Sequence, residues 1–307
     1  MQRFFHASRG TLIKSLQQKS LRQTLSDKIS LEGPISFASY MEMCLFDSEF
    51  GYYNKGKIFG KEGDFITSPE ISQLFGESLA VWCATVYNAL EKPEKWHIVE
   101  VGPGKGTLAS DILRTLRDLK LHKGLSLHLI DLSSHLKKIQ QQSIINVSGQ
   151  LQYEKYKGLD RYFDKDISAY WYSTLPEMTQ NYIQEYKGQP VILIGHEIFD
   201  ALPVHVFEFT SKGWCELVVN LTQYDQFELI LTKGPNNNVK NILKPELRFP
   251  GNKIHSYKEG DRIEFSPANL KLATDICSLI KLGKSCSLLI DYGENRAFSD
   301  SVRVFYK

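Results

Sequence analysis

Short continuous apolar runs alternate along this chain with stretches whose apolar residues recur three or four positions apart, the pattern of strands buried on both faces and linked by helices. The runs are His97–Val101, Ser126–Ile130, Pro190–Ile194 and Ser285–Ile290. Helical spacing appears over Leu108 to Leu119, where Leu108, Ile112, Leu116 and Leu119 share a face, near Leu136, and over Leu270 to Leu282. Strict alternation at Val204–Phe209, Trp214–Val219 and Phe227–Leu231 predicts an antiparallel β-rich insertion, with the polar stretch Gly234–Lys240 as a surface loop. Nearer the start, Ile35 to Phe46 has helical spacing, and Gly56 to Glu70 reads as a loop. That loop ends where Ser68 is expected to cap a helix with Pro69 at its first position and Ile71, Leu74, Phe75, Ser78, Leu79 and Trp82 on its buried face. Between Leu136 and Gly188 the pattern is weak, with Trp171 and Tyr172 as core anchors. The expected fold class is α/β and Rossmann-like, with an N-terminal helical and loop element.

The strand ends carry the chemistry. Glu100 closes the first run and is followed by Gly102, Gly104 and Gly106, which let the backbone turn tightly so that a ligand can approach the main chain and the next helix's N-terminus. A phosphate-cradling loop needs G-x-x-x-x-G-K-[ST], and the dinucleotide fingerprint needs its third glycine one residue later. Neither fits. An acid before G-x-G-x-G suits S-adenosylmethionine, which is cationic at its methionine end and has no phosphates. Asp131, at the end of the second strand, is placed to accept hydrogen bonds from both ribose hydroxyls; the alternative is a capping role for the helix that follows. Glu197 and Asp200, beyond the third run, are candidate catalytic carboxylates that can hold a planar guanidinium and take its proton. Their alternatives are a surface acid and a turn residue before Pro203, and His196 is read as structural.

Composition narrows the partners. Thirty-seven Lys and Arg against 35 Asp and Glu give a net charge of +2, which argues against a dedicated nucleic-acid surface. Five scattered cysteines without C-x-x-C spacing suggest neither a disulfide framework nor a structural zinc site, and no metal is expected. No apolar run approaches the roughly 20 residues that span a bilayer, so an integral membrane protein is not expected. Residues 1–26 contain five Lys and Arg and no acid, a composition like that of a mitochondrial presequence, with an ordinary basic tail as the alternative.

Four motifs in order, Gly63-Asp64-Phe65-Ile66-Thr67-Ser68-Pro69-Glu70-Ile71, Glu100-Val101-Gly102-Pro103-Gly104-Lys105-Gly106-Thr107, His196-Glu197-Ile198-Phe199-Asp200-Ala201-Leu202-Pro203-Val204 and Asp291-Tyr292-Gly293, resemble the MidA family. This family comprises the mitochondrial arginine methyltransferases that assist complex I assembly and their bacterial relatives. The resemblance covers about residues 34 to 306. It implies a class I S-adenosylmethionine-dependent methyltransferase of the mitochondrial matrix. It also implies symmetric dimethylation of an arginine on a protein substrate, a respiratory complex I subunit in the animal members. By the same match Glu100, Gly102, Gly104, Gly106 and Asp131 belong to the cofactor site, Asp64 to a motif lying over the cofactor, and Glu197 and Asp200 to the catalytic motif. The family continues past Asp-Tyr-Gly with a histidine-containing segment and a D-L-T motif, whereas this sequence stops at Lys307. The expectation is therefore a methyltransferase domain over 34–307 that lacks a last strand and helix. The alternative is a non-catalytic assembly factor or chaperone-like binding protein that retains the fold.

Overall fold

The computed structural model describes residues 19–54, 66–149, 151–248 and 257–293. Ser20 accepts the Gln23 N–H and caps α1 (Leu21–Glu32), β1 (Ile35–Ser36) follows, and Ser36 caps α2 (Phe37–Phe46) in the same way. The helix expected from Ile35 thus starts two residues later, because Ile35 and Ser36 pair with Val219 and Val218. Leu25 and Ile29 of α1 are buried with Ile35 and Val219. Residues 21–26 of the basic N-terminal segment are therefore helical, and Leu25 among them is packed with Ile35 and Val219.

Beyond a 3-10 turn at Tyr52–Asn54, α3 (Ser68–Ile71) and α4 (Gln73–Ala89) replace the single helix expected from Ser68. Ser68 is the first helical residue rather than the cap. The break lies at Ser72, whose backbone is extended and whose hydroxyl accepts the Leu74 N–H at 3.2 Å. This break turns Ile71 and Leu74 outward, 71% and 68% exposed, and the buried face of α4 is Gly76, Leu79, Ala80, Cys83 and Ala84.

The main sheet is built from β2 (Trp96–Val101), β3 (Leu125–Ile130), β4 (Gln152–Tyr156), β5 (Leu159–Phe163), β6 (Ile167–Tyr172), β7 (Val191–His196) and, after the insertion, the edge strand β12 (Cys286–Ile290). Its order is β12-β7-β2-β3-β6-β5-β4, with the first five parallel and the β4–β5 hairpin antiparallel at one edge. Every β2 side chain is buried, as expected of a central strand covered on both faces. One face carries α4, α5 (Thr107–Asp118) and α6 (Ser134–Ser148), which bury Cys83, Leu113, Leu116 and Ile144 with Ile98, Leu127, Trp171 and Ile192. The other carries α7 (Leu175–Glu185) and, later in the chain, α9 (Pro267–Ile280), with Met178, Tyr182, Ile276 and Leu279 against Val99, Tyr172 and Leu193. The fold class expected from the hydrophobic pattern is present.

The insertion contains β8 (His205–Thr210), β9 (Gly213–Leu221), β10 (Phe227–Leu231) and β11 (Arg262–Phe265), which with β1 make a second, antiparallel sheet. Its buried carboxylate, Glu216, accepts hydrogen bonds from Asn236 and Asn238 and pairs with His205 Nδ1 at 2.7 Å. Gly234–Lys240 is therefore not simply a surface loop: two of its side chains bind a buried charge, and it leads into a π turn, Val239–Leu243, with Val239 and Leu243 buried. The short helix α8 (Pro245–Arg248) follows. Among the described residues no helix is long and apolar enough to cross a membrane.

Candidate functional site

From β2 the chain proceeds outward through β3 to β6, and it then returns to the other side of β2 for β7 and β12. The crevice at such a reversal lies beyond the carboxyl ends of the strands and is where open α/β sheets bind ligands. A cavity of about 650 Å³ opens there, lined by Glu100, Gly102, Gly104, Asp131 and Glu197 together with Thr67, Pro69 and Glu70 from the N-terminal segment. The volume suits an organic ligand of nucleoside size or somewhat larger.

Gly102, Gly104 and Gly106 have φ values of +69°, +53° and +80°, a backbone region that favours glycine. A Cβ at Gly102 would sit 2.9 Å from Ile198 Cγ2, so this glycine permits the β2 and β7 loops to touch as well as turn. Glu100 is 4% exposed and lies on the cavity wall; the Ala109 N–H donates to its carboxylate, while Oε2 has no partner. Burial, reinforced by Asp131, pushes its pKa up to about 8.

Asp131 is not the cap of α6, which is Ser133, whose hydroxyl accepts the Leu136 N–H. Asp131 Oδ1 accepts the Ser133 N–H at 2.8 Å, a local turn before α6, and the carboxylate also faces the cavity. Oδ2 accepts from Gln140 Nε2 at 2.8 Å, and the same amide nitrogen donates to the Gly104 carbonyl at 2.8 Å. Gln140 is fully buried and its Oε1 accepts the Trp171 indole N–H. One α6 side chain thus fixes the acid after β3, the glycine loop and β6 relative to one another. Sequence reasoning missed Gln140, and the only signal was a polar residue within a weakly amphipathic segment.

Glu197 also lines the cavity, with φ +50°, a conformation that costs a residue bearing Cβ about 1–2 kcal/mol. Its N–H donates to the Ile290 carbonyl at 2.9 Å, which ties the β7 and β12 ends together. Burial, then Asp200 and Asp291, raise the Glu197 pKa. His196 Nε2 lies 3.4 Å from Glu197 Oε1, its ring packs on Phe75, and burial lowers its pKa, which keeps the imidazole neutral. Asp200 does not line the cavity; it accepts the Tyr292 hydroxyl, and its charge adds to the burial that lifts Tyr53 to about 12. The structure therefore brings Glu197, Asp200, Asp291, Tyr53 and Tyr292 into one neighbourhood. Asp64 lies outside the described residues. Glu70, present in the sequence motif but not singled out there, accepts the Thr107 hydroxyl and lies 3.8 Å from Lys105 Nζ. Among the described residues there is no group of three potential metal ligands.

Residues 78–307 match the family described as "Putative S-adenosyl-L-methionine-dependent methyltransferase". The chain is 31% identical over 297 residues to the mitochondrial protein arginine methyltransferase NDUFAF7 of Danio rerio, covering 94% of this chain and 65% of the relative. To the Homo sapiens protein of the same name it is 32% identical over 285 residues, covering 91% and 60%. The chain thus spans less than two thirds of the length of these relatives. The fold is similar to that of a Burkholderia thailandensis protein solved with S-adenosyl-homocysteine bound, with a TM-score of 0.66 and 24% identity over 89% of this chain and 62% of that one.

Proposed function

Because the chain belongs to the S-adenosyl-L-methionine-dependent methyltransferase family matched by residues 78–307, we propose that its cavity holds that cofactor beside the guanidinium of a protein arginine and that it acts as a protein arginine methyltransferase. The observation that carries the reading is Glu100: a buried carboxylate oxygen without a partner, on the wall of a cavity whose floor is a positive-φ glycine loop. A buried carboxylate left in this state calls for a cationic ligand. The methionine end of the cofactor is cationic, Asp131 supplies acceptors for a ribose, and Ile130, Leu132 and Leu175 supply apolar wall for a flat base. The residues present fit the group. When bound, the cofactor supplies an electrophilic methyl group on a sulfonium.

The chain's own contribution lies at the acceptor end. Glu197 projects from a strained backbone position into the cavity, where its carboxylate can accept N–H bonds from a guanidinium and take the proton that the acceptor nitrogen must lose. Asp200 and Asp291 add negative charge nearby, which stabilises a cationic acceptor and raises the proton affinity of Glu197. Tyr292 holds Asp200 in place through its hydroxyl. His196, kept neutral, does not compete for this negative charge. The finer reading extends the family resemblance: symmetric dimethylation, in the mitochondrial matrix, of a protein belonging to respiratory complex I.

The test is methyl incorporation from labelled S-adenosylmethionine into a mitochondrial protein extract, with methylarginine identified after hydrolysis. The natural chain should form methylarginine, and Glu197→Gln should bind the cofactor in a calorimeter yet lose transfer, since a neutral amide cannot take the proton. Equal transfer by Glu197→Gln would remove Glu197 from the chemistry, and cofactor binding without methylarginine in the natural chain would refute the activity.

A further inference from the structure

Helix α9 borders two hollows. Ala268 and Leu272 face the cavity at the strand ends, whereas Pro267, Leu270 and Thr274 line a groove of about 400 Å³, and Lys271 and Asp275 stand on the wall of both. The spacing is that of adjoining stripes on one helix. The opposite wall of the groove comes from the insertion: Ile242 and Lys244 at the π turn, Arg248 of α8 and Phe265 at the end of β11. Ile242 and Phe265 pack against the buried core of the insertion and give the groove an apolar floor.

The charge of the groove is one-sided. Its cations are Lys244, Arg248 and Lys271, and its carboxylate is Asp275. Asp275 is already committed, since both its oxygens accept from Lys271 Nζ, at 3.2 and 2.8 Å. Among the described residues neither Lys244 nor Arg248 pairs with a carboxylate, and residues 249–256, which follow Arg248, contain none. Arg248 is instead stacked on Phe265, with its guanidinium carbon 4.0 Å from the ring centre. Stacking occupies the face of a guanidinium and leaves its N–H edges for an acceptor. Lys244 ends the π turn at φ +49°, so a charge stands on the wall where the backbone favours glycine.

We propose that this groove docks the segment of the protein substrate flanking the target arginine, and that it selects a segment carrying carboxylates, which Lys244 and Arg248 receive. This rests on the arginine methyltransferase reading given above and extends it beyond the reacting side chain. A helix with its side chains is about 10 Å wide and an extended peptide advances about 3.3 Å per residue, so an acid in the groove stands about three residues from an arginine in the cavity. The two hollows sort the substrate by charge. The guanidinium enters near the carboxylates of Glu197, Asp200 and Asp291, while the flanking acids meet cations, and a segment with these charges exchanged is repelled at both places. With a net charge of +2 over the whole chain, the groove is a local basic feature, scaled to a few carboxylates rather than to a nucleic-acid backbone.

Labelled peptides test this by fluorescence anisotropy on the full chain with S-adenosylhomocysteine present. Each has one arginine; the acidic peptide carries aspartates about three residues to either side of it, and the neutral peptide has asparagines in their place. The natural chain should bind the acidic peptide about fivefold more tightly in dilute buffer, the scale of exposed charge pairs acting together, and the preference should shrink as salt is added. Lys244→Gly, which suits the backbone and removes the charge, and Arg248→Met should each reduce the preference to about twofold or less, with affinity for the neutral peptide unchanged. Lys244→Glu should bind a peptide with lysines at those places more tightly than the natural chain does. Equal affinity of the natural chain for the acidic and neutral peptides, an undiminished preference in folded Lys244→Gly, or tighter binding of a short oligouridylate than of the acidic peptide would overturn the proposal. Failure of the activity reading is a separate result: no methylarginine forms in either peptide from labelled S-adenosylmethionine, while the anisotropy difference persists and the groove's selection of an acidic segment stands.

Discussion

Glu100 provides a quantitative link between the free site and its ligand. Its carboxylate is buried, one oxygen has no partner, and burial places its pKa at about 8, with Asp131 on the neighbouring strand adding to the rise. Below pH 8 the free protein therefore holds a proton there that a cationic ligand group must displace. If the ionised form is the one that binds, the competent fraction at pH 6 is about 1% and rises about tenfold per pH unit until it levels off near pH 8. Affinity for S-adenosylmethionine should follow the same slope between pH 6 and 7. The ligand's own amino group titrates near pH 8, so the lower window isolates the protein's carboxylate. Calorimetry in two buffers of different ionisation enthalpy should report about one proton released per ligand bound at pH 6.5. Glu100→Gln should abolish both the slope and the proton release, along with most of the affinity. A natural chain whose affinity is flat from pH 6 to 7, with no proton released, would refute the reasoning.

The same group has the opposite effect on stability. Its folded pKa lies above the value of 4.5 for an unperturbed glutamate, so the folded state binds the extra proton between about pH 4.5 and 8, and stability is lost as pH rises through that window. At 1.36 kcal/mol per unit the loss is on the order of 4 kcal/mol at the top of it. Glu100→Gln should therefore melt higher than the natural chain at pH 8.5 and no higher at pH 4.5. Stabilised folding combined with lost binding is the behaviour of a residue retained for a ligand rather than for the core.

Two further substitutions probe the remainder of the molecule. Asp131→Ala should weaken 5′-methylthioadenosine about tenfold, since the carboxylate is proposed to hold the ribose, and unaltered affinity in calorimetry would leave Asp131 with its turn at Ser133 alone. Glu216→Ala should cost about 3–5 kcal/mol in urea unfolding, because it strands His205, Asn236 and Asn238 around a buried void. Burial opposes ionisation of Glu216, but the hydrogen bonds from those three residues outweigh it and lower its pKa. The stability it supplies is thus present above the unfolded value of 4.5 and lost as pH falls below it, so the alanine variant should be less sensitive to acid than the natural chain. A variant losing less than 1 kcal/mol, or keeping the natural acid sensitivity, would contradict this account.

How much of this was legible in the sequence depends on whether the signal was local. The central strands, α5 and the antiparallel insertion announce themselves because burial on two faces, on one helical stripe or on one sheet face leaves a periodic record in the residues themselves. The β4–β5 hairpin is less visible: Lys157 and Gly158, both at positive φ, make its two-residue turn, and lysine is not a residue that signals such a turn. Helix α7 did carry a signal, the Thr174-x-x-Glu177 pattern, in which Thr174 accepts the Glu177 N–H and Glu177 accepts the Ser173 N–H. At the site the division is sharper. Glu100, Asp131 and Glu197 can be nominated from sequence because each ends a strand, and strand ends of a parallel sheet converge whatever the rest of the chain does. Gln140 and Glu70 cannot be nominated in that way, because they reach the glycine loop and its helix through contacts with residues 36 and 37 positions away along the chain. A sheet places its strand ends by topology, but the orientation of the loops between them is set by single side chains reaching back from neighbouring helices. In this molecule those side chains are an amide from α6 and a carboxylate from α3, and they converge on the same glycine loop from opposite directions in the sequence.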